Sequence, residues 1–293
     1  MLRVNDGSRN APRLEVQQSW WAMTKIGEQG EEWSLEKKFE KLAEAGFQGI
    51  NGALPAPEEA ERWRRLLDEY KFSFSIGAFP RAVSDLSELI PRAREFGVQH
   101  INLQVMDSFI IGEEAVALLA GLAEEGRKAD MPVFIETHRG RVTQDLIRTA
   151  RYVRAISDLR LTIDLSHYVV AGEVREIAPP LEALFDQLLQ RTSCIHARIS
   201  NGEQIQVDVG QGGEHPMFGH FKRWWLQGMR YWLQEAQPGD IFPFVTELGP
   251  PDYAITRSRD SFGQREEISD RWQQALLLKN TAEELWAELH AGA

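Results

Sequence analysis

The chain has 293 residues, of which 43% are hydrophobic and 26% are charged, and its formal net charge is −11. This composition is typical of a soluble globular protein, and no apolar run reaches the roughly 20 residues that span a bilayer, so no membrane partner is expected. The acidic balance also disfavours nucleic-acid partners, because phosphate backbones are bound mainly by clustered Lys and Arg.

Short apolar or β-branched runs alternate with amphipathic segments along the whole chain. Eight runs are predicted strands, at about 15–22, 47–53, 72–78, 98–105, 132–138, 159–165, 193–199 and 241–248. The clearest predicted helices between them cover 34–46, 57–70 and 113–130. Eight strands that alternate with helices predict a single (β/α)₈ TIM barrel with parallel strands, as one domain over 1–293. A doubly wound sheet is the alternative, but no Gly-x-Gly-x-x-Gly follows the first strand.

Side chains that can bind a metal ion lie near the carboxyl ends of the last four predicted strands. In chain order they are Glu136, Asp164, His196 and Glu247. In a TIM barrel these strand ends meet at the catalytic face, where three carboxylates repel each other unless a cation compensates them. Two Glu, one Asp and one His suit Mn²⁺, with Mg²⁺ or Co²⁺ as alternatives. Each residue alone has a structural explanation, such as a helix cap for Asp164. Their combination favours one divalent metal ion.

Four short motifs, IETH, IDLSH, CIHARIS and VTELG, occur at these strand ends in this order. Together they resemble the xylose isomerase-like TIM-barrel superfamily, which includes sugar isomerases, ketose 3-epimerases, inosose dehydratases and AP endonucleases. The resemblance implies metal-ligand roles for the four strand-end residues, and substrate contacts for His167 and Arg198. His138 shares the strand face of Glu136 and is a further substrate-binding candidate. Superfamily members often form dimers or tetramers, so a homo-oligomer is one expectation.

The favoured function is a metal-dependent sugar isomerase or epimerase of carbohydrate metabolism, acting on a small sugar or polyol. Glu136 and Glu247 would transfer the proton next to a metal-bound carbonyl, through an ene-diolate. An inosose dehydratase-like lyase or a keto-sugar deglycosidase would use the same site. An AP endonuclease is less favoured, because the third strand lacks histidine and residues 208–215 lack an Asp-x-His. A non-catalytic barrel subunit is the remaining alternative.

Several smaller predictions complete this interpretation. The glycine-rich segment 200–222 is a candidate active-site lid, since long loops in compact domains tend to be functional. Asn102 and Gln104 alternate on the fourth strand and are expected to face the barrel interior. No cluster of Lys or Arg follows the last two strands, which favours an unphosphorylated substrate. A single cysteine and an N-terminus without an apolar signal core predict a cytoplasmic location.

Overall fold

The computed structural model describes residues 2–28, 31–258 and 265–291. Its centre is a closed barrel of eight parallel strands, in which each strand pairs with its neighbours in chain order and the first pairs with the last. The strands are β1 (Arg13–Ser19), β2 (Gly49–Gly52), β3 (Ser73–Ala78), β4 (Ile101–Leu103), β5 (Val133–Glu136), β6 (Leu161–Ile163), β7 (Thr192–Ala197) and β8 (Ile241–Thr246). The prediction of a (β/α)₈ barrel is confirmed.

Helices occupy the connections around this barrel. They are α1 (Leu35–Glu44), α2 (Pro57–Tyr70), α3 (Val83–Phe96), α4 (Gly112–Lys128), α5 (Leu146–Ala155), α6 (Ser166–Ala171), α7 (Pro179–Leu189), α8 (Pro216–Gln234) and α9 (Arg271–Ala291). Two short antiparallel pairs, 27–28 with 31–32 and 256–258 with 265–267, lie outside the barrel. In the part of the chain that the structure describes, no helix has the length and apolarity needed to cross a bilayer.

Strand alternation places an apolar layer on the interior face of β5, β7 and β8, below the carboxyl ends of these strands. Phe134, Cys194 and Val245 form one buried cluster with residues from the chain's N-terminal segment and the start of β8. Residues two positions further along the same strands share their face of the sheet. That spacing places Glu136, His196 and Glu247 directly above the apolar layer. The intervening positions, such as Ile135 and Ile195, join the large core instead.

The predicted lid segment is divided by the start of a helix. Residues 200–215 contain no helix or strand, whereas 216–222 form the first turns of α8. Gln206 and the backbone of Gly249 exchange two hydrogen bonds, and the side chain of Gln274 in α9 bonds the backbone of Val209 and Gly210. The loop is therefore fastened to two other elements. Its role as a lid stays a prediction.

Candidate metal centre

The carboxyl ends of β5 to β8 bring the four predicted ligand residues to one end of the barrel. Glu136 is the last residue of β5, Asp164 follows β6, His196 lies in β7 and Glu247 follows β8. All four are buried. The most exposed of them, Glu247, has a relative solvent exposure of 8%. Ionised side chains at such depth need charged or hydrogen-bonding partners.

Three of these residues form a compact set of donor atoms. Nδ1 of His196 lies 3.2 Å from an Oε2 atom of Glu247 and 3.7 Å from Oε2 of Glu136. One donor atom from each of the three residues lies within 4.8 Å of the others. Ligands that share an ion at about 2.0–2.2 Å have separations of this order. Two carboxylates and one imidazole, with these distances, fit a divalent cation.

Asp164 is bound to an arginine instead. Nη1 of Arg198 donates to Oδ2 of Asp164 at 2.9 Å, and Nη2 donates to Oε2 of Glu247 at 2.7 Å. The Arg198 guanidinium therefore bridges two of the four predicted ligands, and its Nε donates to the Glu247 carbonyl at 2.9 Å. The other carboxylate oxygen of Asp164 accepts bonds from the backbone and hydroxyl of Ser166. Three carboxylates and one guanidinium leave a formal charge of −2, which a divalent cation would balance.

Two amides at the carboxyl end of β4, from Asn102 within the strand and Gln104 directly after it, hold Glu136 in place. Asn102 donates to Oε2 of Glu136, and Nε2 of Gln104 lies 3.2 Å from the same oxygen. The prediction that these two residues face the barrel interior is confirmed. The next residue, Thr137, points away from the centre, and its hydroxyl exchanges hydrogen bonds with the backbone of Asp164. This pair of bonds fixes the relative positions of the ends of β5 and β6.

Two histidines form a second group beside Glu136. The ring centroids of His138 and His167 are 3.8 Å apart, and both rings offer an atom within 4.8 Å of the Glu136 carboxylate. Nδ1 of His138 lies against the carbonyl of Arg139, which can only accept, so Nε2 of His138 is left as an acceptor. Burial lowers the pKa of His138 to about 4 and lowers that of His167 as well. Both imidazoles are therefore neutral near pH 7.

A cavity of about 500 Å³ opens above the centre. His138, His196, Arg198 and Glu247 face it, and four aromatic side chains form part of its walls. Those aromatic residues are Trp20, Trp21, Phe79 and Tyr253. Glu136 does not line the cavity and has no exposed surface, whereas Asn102 and Gln104, which bond its carboxylate, do line it. A small molecule in this cavity would meet Glu247 before Glu136.

The carboxylates of the centre differ in their affinity for protons. Burial raises the pKa of Glu136 to about 7, although the neighbouring His196 lowers it. Glu247 is also buried, but His196 and Arg198 outweigh that effect and lower its pKa to about 2. Burial opposes a charge on His196, yet Glu247 and Glu136 raise its pKa well above the ordinary value. Without a cation, the centre therefore retains protons near neutral pH.

A family comparison agrees with the barrel fold. The family model described as xylose isomerase-like TIM barrel matches residues 39–223, which is more than half of the chain. The chain belongs to the xylose isomerase-like TIM barrel family. No curated protein gives a significant match to this family member.

Solved structures show the same fold at low sequence identity. A xylose isomerase-like TIM barrel protein from Mycobacterium smegmatis, in complex with magnesium, is 12% identical with a TM-score of 0.58, covering 97% of this chain and 98% of that one. The probable 3-DHS dehydratase AsbF from Bacillus anthracis is 17% identical with a TM-score of 0.56, over 81% and 94%. A protein from Sinorhizobium meliloti 1021 is 11% identical with a TM-score of 0.52, over 94% and 98%. These similarities concern the fold.

Two residues of the cavity in this xylose isomerase-like barrel could not be predicted from the sequence. Tyr253 lies in the connection after β8, yet its ring centroid is 4.9 Å from the Arg198 guanidinium carbon. Arg141 lines the cavity from the connection after β5. Neither residue lies at a strand end, so no periodicity marks it. Phe79, which follows β3, is 61% exposed and belongs to the rim of the cavity.

The pKa values predict that metal binding weakens at low pH. Glu136, with its pKa near 7, and His196 must lose their protons before they can bind a cation. We expect the Mn²⁺ dissociation constant to increase roughly tenfold or more as pH falls by one unit below about 7. Calorimetry in buffers of different ionisation enthalpy would count the protons released. An affinity that does not change between about pH 6 and pH 8 would contradict the prediction.

Proposed function

We propose that this protein is a divalent-metal-dependent enzyme that moves a proton on the carbon next to a carbonyl group of a sugar or polyol derivative. The reaction is an isomerisation or an epimerisation. One observation carries the proposal: Glu136, His196 and Glu247 converge within 4.8 Å beneath a cavity of about 500 Å³. Cavities of this volume are typical of small-molecule sites.

The residues that would hold the cation are Glu136, His196 and Glu247, with Asp164 as the fourth ligand. Oxygen-rich sets with one imidazole are consistent with Mn²⁺, and Mg²⁺ or Co²⁺ would also fit. When bound, such an ion polarises a carbonyl oxygen and thereby acidifies the neighbouring C–H bond. Asp164 is the ligand whose contribution depends on Arg198, because the guanidinium occupies one of its carboxylate oxygens.

Glu247 and Glu136 would both take part in the proton transfer, and they differ in their position relative to the cavity and in their pKa. Glu247 faces the cavity and can reach a substrate hydrogen, and geometry is the first requirement for a general base. Glu136 does not line the cavity and is held by Asn102 and Gln104. Return of the proton to the adjacent carbon isomerises the sugar, whereas return to the opposite face epimerises it. A positioned acid–base group contributes about 10²–10⁴-fold to the rate.

The remaining predicted residues would orient the substrate. His138 presents its acceptor Nε2 beside the cavity, and His167 lies behind it against Arg198, at 3.3 Å between Nε2 and Nη1. Arg198 is covered by Trp21 and Tyr253, whose ring centroids lie 5.9 and 4.9 Å from its guanidinium carbon. Aromatic walls suit the apolar faces of a sugar ring. These features support a small-molecule substrate, and we propose no nucleic-acid partner for a chain of net charge −11.

A dehydratase-type lyase is the second candidate. Loss of water requires a group that removes the carbon-bound proton and an acid that protonates the departing hydroxyl. The neutral imidazole of His138, whose ring centroid is 3.8 Å from that of His167, could take the proton from carbon at Nε2 and then give it to the departing hydroxyl. This pair is the observation that favours elimination.

Solvent isotope exchange tests the proposal and separates its two forms. We expect the Mn²⁺-loaded protein in D₂O to place deuterium on carbon in one member of a panel of ketoses, inososes and 3-keto-glycosides. A product that is an isomer or epimer of the substrate would indicate isomerisation or epimerisation. A product that has lost water would indicate the dehydratase reaction. If no member exchanges a carbon-bound hydrogen, while the protein holds its metal, the proposed reaction is wrong.

A further inference from the structure

Arg141 is a cationic group of the cavity wall that the proposed proton transfer does not use. It lies five residues after Glu136, in the connection between β5 and α5, and its side chain lines the cavity. Arg198 also lines the cavity, but Asp164 and Glu247 balance its charge. Among the residues that the structure describes, no carboxylate forms an ion pair with the Arg141 guanidinium. Its positive charge therefore has no ion-pair partner there.

The guanidinium of Arg141 is held in position by two contacts. Nη1 donates to the carbonyl of Met106 at 3.1 Å, and the guanidinium carbon lies 5.1 Å from the ring centroid of Phe79. An arginine has five N–H donors, so most of them remain for a ligand. The side chain is thus oriented before any ligand arrives, which lowers the entropic cost of binding.

The backbone around Arg141 is equally fixed. Its N–H donates to the carbonyl of His138, and its own carbonyl accepts from the backbone of Gln144 at 2.9 Å. The next residue, Val142, donates to the carbonyl of Val105, and the hydroxyl of Thr143 donates to the Glu136 carbonyl at 2.6 Å. Hydrogen bonds within the segment 138–143 therefore fix the position of Arg141 relative to Glu136 at the end of β5. A group bound by Arg141 would have a defined position relative to the centre.

We propose that Arg141 binds a carboxylate group of the substrate, so that the enzyme acts on a sugar acid or a carboxylated polyol. The inference rests on the function proposed above and narrows its substrate class. A planar guanidinium with free donors matches a carboxylate in two parallel hydrogen bonds. Arginine also pairs with phosphate, but phosphate sites commonly add the N–H groups of a helix N-terminus. The nearest helix N-terminus, that of α5, is already capped by Asp145, whose Oδ1 accepts from the backbone of Arg148 at 2.7 Å.

Matched probes test the proposal on the folded protein in the presence of Mg²⁺. Ligand-observed NMR would compare D-glucuronate with D-glucose, and quinate with myo-inositol. We expect the acids to bind the wild-type protein at least about tenfold more tightly than the neutral partners, since a charge-assisted bond contributes on that scale. Arg141→Met should remove this preference, and Arg141→Lys should retain part of it. Arg151→Met, on the exposed face of α5, is the control that should change nothing.

Three results would overturn the assignment. The first is equal binding of acid and neutral probes to the wild-type protein. The second is an acid preference that survives in Arg141→Met while the variant keeps the wild-type melting temperature. The third is tighter, Arg141-dependent binding of D-glucose 6-phosphate than of D-glucuronate. Failure of the proposed function would appear elsewhere, as a lack of metal binding or of carbon-bound exchange, so the two hypotheses can fail separately.

Discussion

Glu247→Gln should weaken Mn²⁺ binding by at least about 100-fold, a larger loss than is usual for residues that only support a ligand. Glutamine has nearly the same shape but lacks the charge that faces His196 and Arg198 at 3.2 and 2.7 Å. The same variant should lose turnover by about 10³-fold or more at saturating metal, because Glu247 is the carboxylate that reaches the cavity. Isothermal calorimetry and isotope exchange measure the two effects independently.

Glu15→Gln is the matched control for this experiment. Glu15 is also buried in a barrel strand, but it lies near the start of β1, where Gln17, Ser73 and Gln99 bind its carboxylate. Its replacement should leave the Mn²⁺ affinity unchanged even if it lowers the melting temperature. Equal metal affinities in wild type and Glu247→Gln would show that Glu247 is not a ligand.

Arg198→Met should destabilise the metal-free protein by about 3–5 kcal/mol, the usual cost of removing one partner from a buried ion pair. Its guanidinium balances Asp164 and Glu247, and all three side chains are buried. A divalent cation can take over this balance, and the variant also frees the Asp164 carboxylate as a ligand. We therefore expect Mn²⁺ to stabilise Arg198→Met more than it stabilises the wild type. Urea unfolding with and without Mn²⁺ measures both quantities.

Arg271→Met separates this effect from the general loss of a buried arginine. Arg271 is 5% exposed and bonds Glu267 together with the carbonyls of Ala22 and Thr24, away from the centre. Its replacement should also lower stability, but Mn²⁺ should restore no more than it adds to the wild type. If the two variants respond to Mn²⁺ equally, Arg198 does not compete with the metal for its ligands.

The barrel and the end of the barrel that carries the site were predictable because both depend on periodicity. An apolar run such as Val133–Ile135 that ends in Glu136 specifies a buried strand and places its charge at the carboxyl end. Alternation of two residues likewise predicts that Asn102 and Gln104 face Glu136. These features are local in sequence and are repeated from strand to strand.

Contacts between connections were not predictable in the same way. The bridge from Arg198 to Asp164 and Glu247 joins residues 34 and 49 positions apart, and its existence depends on side-chain conformations. Arg141 and Tyr253 reach the cavity from connections, where no period fixes the direction of a side chain. The first predicted strand includes Trp21, but that strand ends at Ser19. The lid prediction for 200–222 also missed the start of α8 at Pro216, although proline is common at the first position of a helix.

The central claim is that Glu136, His196 and Glu247 hold one divalent cation, with Asp164 as the fourth ligand. The most direct test is elemental analysis of the purified protein after incubation with Mn²⁺ and removal of the free ion. We expect about one equivalent of metal per chain, and much less in Glu247→Gln. A content far below one equivalent in the wild type, or the same content in both proteins, would contradict the claim.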